Sequence, residues 1–64
     1  MTKEEIAQAL KDKDAGVRWE AAKHPNASQE HLTTALKDED AGVRRAAKEN
    51  LARAISKEVR EFVG

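Results

Sequence analysis

Two sets of acids and bases, Asp12-Asp14-Arg18 and Asp38-Asp40-Arg44, gather the side chains best able to do chemistry. Paired carboxylates beside a guanidinium could serve as general acid and base if their surroundings split their pKa values. These sets, however, are copies of one another, 26 residues apart. A group that recurs with the chain is doing a structural job. Asp14 and Asp40 are placed to cap helix starts. Arg18 is placed to reach Asp38 or Asp40 and hold the two units in register, each exposed pair adding ~0–1 kcal/mol.

The other reactive types form no site. His24 and His31 lack the cysteine or spaced carboxylates that a tetrahedral metal site needs, so no metal or cofactor is expected. His24 is expected to close a helix C-terminus, its ring favouring the dipole and the free carbonyls. Thr2, Ser28 and Ser56 fall at helix starts and Thr33 and Thr34 within a helix, with no His and acid in triad order. Gly16 and Gly42 lack the further glycines and Lys-Ser or Lys-Thr of a phosphate loop. They read as close packing or tolerance in a first turn. No catalytic residues are assigned, and the chain reads as a non-enzyme.

Binding is better supported. Trp19, the sole tryptophan, has Arg45 as its counterpart 26 residues on, so the repeating pattern does not require an aromatic there. It lies nearly opposite Val17 on a helix, and an outward Trp makes a binding anchor. The alternative is that it packs over the junction between units or on the last helix. Lys23, Arg45 and Lys48 join it as candidate protein-binding residues. Arg44, Arg45, Lys48, Arg53 and Lys57 also give the last helix a basic bias, the basis for a nucleic-acid alternative. Glu49, Glu58 and Glu61 interrupt that bias, and no aromatic is interleaved for stacking on bases.

These residues are positioned by a repeat. Thr2 to Arg18 is rewritten as Ser28 to Arg44, with Ala9, Leu10, Lys11, Asp12, Asp14, Ala15, Gly16 and Val17 returning as Ala35, Leu36, Lys37, Asp38, Asp40, Ala41, Gly42 and Val43. A fixed period of this length marks stacked units that bury a core only against neighbours. Thr2-Lys3-Glu4-Glu5 is a capping box opening the first helix, which presents Ile6 and Leu10. Asp14 caps the second, where Val17 and Ala21 are expected to be buried. Pro25 stops it, because proline pushes the preceding residue out of helical angles. Ser28 caps the third helix, with Leu32 and Leu36 inward, and Asp40 caps the fourth. The second unit has Asn50-Leu51-Ala52 where the first has His24-Pro25-Asn26. With no proline, Val43, Ala47, Leu51, Ile55, Val59 and Phe62 or Val63 continue at helical spacing. This predicts one helix from about Asp40 to Phe62. A separate short helix capped at Ser56-Lys57-Glu58 is the alternative.

The run Ala21-Ala22-Lys23-His24-Pro25-Asn26-Ala27, then Glu30, Leu32 and Leu36, then Asp38-x-Asp40-x-x-Val43-Arg44-x-Ala46-Ala47, resembles the variant leucine-rich repeat family. Its Asp-x-x-Val-Arg portion is also similar to HEAT-type repeats. The resemblance covers most of residues 2–50 and implies a right-handed helical superhelix whose members are mostly interaction scaffolds. Some members carry an iron–sulfur module, and this chain has no cysteine to hold one.

The expected architecture is an all-α right-handed α–α superhelix, a short solenoid of two helical hairpins closed by a long C-terminal helix. It forms one domain over 1–64: unit one 2–27, unit two 28–50 and a capping extension 51–64. Twelve basic residues balance 12 acidic ones, so no net charge draws nucleic acid or anionic membrane. With no membrane-length apolar run and no signal peptide, a cytoplasmic location is expected. The expected function is non-catalytic binding of an unidentified protein partner. Nucleic-acid binding, or an isolated repeat fragment with no independent role, are the alternatives. A homodimer through Val59, Phe62 and Val63 is a further expectation.

Overall fold

The computed structural model describes the backbone of residues 1–63 and the side chains of residues 1–54. Helix α1 spans Lys3–Ala9, α2 Ala15–Lys23, α3 Gln29–Ala35 and α4 Ala41–Val63. The chain is all-α, with no strand among the described residues.

Each helix starts where a side chain can take up a free amide. Thr2 and Glu5 form the reciprocal capping box, the Thr2 N–H donating to Glu5 Oε1 at 2.9 Å and the Glu5 N–H to Thr2 Oγ1 at 3.2 Å. Asp14 Oδ1 accepts from the Gly16 N–H at 2.8 Å, and Asp40 Oδ2 from the Val43 N–H at 3.0 Å. Ser28 caps α3 through a box closed by His31. An added Cβ at Gly16 would meet only the Asp14 carboxylate, at 3.2 Å. The first-turn glycines are therefore tolerated beside a cap, and do not mark close helix packing.

Termination separates the two units. His24, before Pro25, adopts φ −68° and ψ 136°, extended angles that end α2. At the equivalent point α4 runs through Asn50 and Leu51 as one 23-residue helix, about 35 Å long. No helix among the described residues is long and apolar enough to cross a membrane.

Helix α2 packs chiefly on α4, which also carries α3, while α1 rests on α2. The core is Ile6, Ala21, Ala22, Leu32, Ala35, Val43, Ala46 and Ala47. Half of it or more is alanine, which lets helices approach closely but buries little area. Of the large side chains among the described residues only Ile6 and Val43 are wholly buried, each contributing about 1.5–3 kcal/mol.

Two expected core positions are exposed. Val17 is 37% accessible although its counterpart Val43 is fully buried, and Leu36 is 37% accessible although its counterpart Leu10 packs on the core. The reason is position in the stack. Val43 and Leu10 face the other unit, whereas Val17 and Leu36 face outward from the two ends.

Candidate interaction surfaces

Arg18 is the tie between the units. Its Nε donates to Asp38 Oδ2 at 2.9 Å, and its Nη1 to the carbonyls of Asp12 at 2.6 Å and Lys13 at 3.0 Å. Both side chains are only 11% exposed. Of the two partners expected for Arg18, Asp38 and Asp40, the pair forms with Asp38, and it is sheltered from solvent. Burial pushes the Asp38 carboxyl up. The Asp40 N–H, the Arg18 guanidinium and the Arg44 charge outweigh that, and the net shift is downward. The aspartates are engaged in capping and tying: Asp14 and Asp40 accept amides of their helices and Asp38 accepts from Arg18.

A second tie runs the other way, and sequence reading missed it. Asn50 Nδ2, on α4, donates to the carbonyls of Ala22 at 2.9 Å and His24 at 3.0 Å. It satisfies the Ala22 carbonyl near the end of α2 and gives the His24 carbonyl a second donor beside the Ala27 N–H at 3.1 Å. His24 is the C-cap of α2 as expected, its N–H donating to the Ala21 carbonyl, but its ring does not serve the free carbonyls. The His24 ring instead accepts from the Asn26 N–H at 3.1 Å through Nδ1 and meets the Met1 amine at 3.3 Å through Nε2. His31 Nδ1 accepts from the Ser28 N–H at 3.2 Å. Each imidazole is built into a turn. The signal for Asn50 was a polar residue in mid-helix at the register of His24.

Trp19 stands outward on α2, 40% exposed. The Lys23 ammonium lies 4.0 Å from its ring centroid. An exposed cation–π contact of this kind contributes about 0.5–1 kcal/mol. At the same register on α4, Arg45 pairs with Glu49 at 3.4 Å, both largely in solvent. The adjoining groove, about 870 Å³, is lined by Leu36, Arg44, Arg45, Lys48, Leu51 and their neighbours. The structure thus joins Trp19 with Lys23, and Arg45 with Lys48, as two pairs on packed helices. The side chains of Val59, Phe62 and Val63, expected to self-associate, lie outside the described residues.

No protein-family model, curated protein or solved structure matches this chain.

Proposed function

We propose that the chain is a non-catalytic protein-binding module, a short right-handed superhelix of the variant leucine-rich or HEAT-like kind. The superhelical reading rests on the 26-residue sequence pattern and on the stacking of one helix pair upon the other. The observation that carries the binding reading is Trp19, the largest side chain of the molecule, held 40% exposed where the other unit has an arginine. An aromatic kept out of the core, with Lys23 against its ring, offers apolar area to a partner. A partner with an apolar side chain for the Trp19 face and an acid for Lys23 would complement it.

The test is retention of proteins from nuclease-treated source-cell lysate by the immobilised chain. Wild type, Trp19→Ala and Glu20→Ala are compared, the last as a neighbouring exposed control. A protein held by wild type and the control, and at least ~10-fold weaker on Trp19→Ala, supports the reading. Equal retention by Trp19→Ala overturns it. Should untreated lysate instead yield nucleic acid released steeply by salt, the groove of Arg44, Arg45 and Lys48 becomes the functional surface.

A further inference from the structure

We infer that the two ends of the stack are halves of one joint, so that molecules of this chain associate head to tail. The Arg44 face of one molecule receives the Asp12 face of the next. The template is the junction inside the chain and is independent of the Trp19 reading.

At that junction unit one offers Leu10 and Arg18, and unit two offers Ala35, Asp38 and Val43. Leu10 packs on the core, Arg18 pairs with Asp38 at 2.9 Å, and Ala35 and Val43 are buried. The groove at the far end carries the 26-residue equivalents of the first set, Leu36 and Arg44. A cavity of about 670 Å³ at the near end carries the equivalents of the second, Ala9, Asp12 and Val17. Each end therefore presents the complement of the other.

Three observations support the fit. Arg44 is held as Arg18 is, its Nη1 donating to the Asp38 carbonyl at 2.7 Å as that of Arg18 does to the Asp12 carbonyl. Unlike Arg18, it makes no ion pair with a carboxylate among the described residues. Leu36 and Val17, the apolar groups that the joint would cover, are each 37% exposed. The charges also answer one another: Arg44, Arg45 and Lys48 outnumber Glu49, the partner of Arg45, around the far groove, while Glu4, Glu5 and Asp12 line the near one. Lys48 stands where the inner junction has the buried Ala22, so the joint between molecules is more polar and weaker than its template. Such a heterologous contact is not closed by two-fold symmetry and lets molecules add in a row.

Sedimentation equilibrium from about 10 µM to about 1 mM at low salt tests this. The weight-average mass of the wild type should climb past twice the 7.1 kDa monomer and fall again with added salt. Arg44→Glu and Asp12→Asn should each weaken self-association at least ~10-fold. Asp12→Asn keeps the side-chain oxygen that accepts from the Asp14 N–H, and Arg44→Gln replaces Arg44→Glu if circular dichroism shows the latter unfolded. An equimolar mixture of the two variants should restore one intact joint, giving a one-to-one dimer and nothing larger. A wild type monomeric across the range overturns the inference. So does association that survives in both variants, as a symmetric contact elsewhere would, or a mixture that stays monomeric.

Discussion

Arg18 and Arg44 occupy the same place in the two units and carry very different loads. Both hold the turn before their own helix through a carbonyl, but among the described residues only Arg18 of the two pairs with a carboxylate, and only it is buried. The Asp38 it meets is fully served, with Oδ1 taking the Asp40 N–H at 2.8 Å. Its folded pKa lies below the unfolded value, which is near ~3.9. The carboxylate therefore adds stability above that value and loses it as pH falls through the folded pKa. Urea unfolding followed from neutral pH down to about pH 2 should show the wild type weakening steeply through the acid range. Asp38→Asn should start about 1.5–3 kcal/mol less stable and show a shallower decline, so that the two curves converge. Parallel curves would mean that Asp38 is not the group being titrated.

At the scale of helices, the starts were legible and the reach between helices was not. Thr2, Asp14, Ser28 and Asp40 are each short polar residues ahead of an apolar stripe, and each takes up amides of its helix. Pro25 marked the end of α2, and its lack of a counterpart let α4 run on. The Arg18–Asp38 tie was foreseen because both residues repeat. Asn50 was missed because its partners are backbone carbonyls 26 and 28 residues away, which have no side-chain signature. Asn50→Ala should lower stability by about 1–2 kcal/mol in chemical denaturation, since the carbonyls lose a donor. Asn50→Asp should cost more, because it sets a carboxylate against two carbonyl oxygens. The reverse order would show that Asn50 acts through packing alone.

At the scale of the molecule, burial depends on where in the stack a residue stands, and periodicity carries no such information. The sequence treats Val17 and Val43 alike, yet one is 37% exposed and the other fully buried. Val43→Ala should cost roughly 2 kcal/mol and Val17→Ala under about 0.5 kcal/mol, read from denaturation midpoints. Nearly equal costs would contradict the position of the junction. The first loss is serious because small domains hold only about 5 kcal/mol or a little more in total. The radius of gyration, 11.9 Å, exceeds the roughly 11 Å of a compact chain of this length, as a 23-residue helix on a 64-residue molecule requires.

Trp19, the sole tryptophan in a chain without tyrosine, has an optical consequence. Trp19 is already 40% exposed in the folded molecule, so its emission shifts less on denaturation than that of a tryptophan buried in a core. Whatever lies down on Trp19 removes water from it. The emission then shifts to the blue, and the intrinsic light of this protein reports occupancy of its surface better than the integrity of its core.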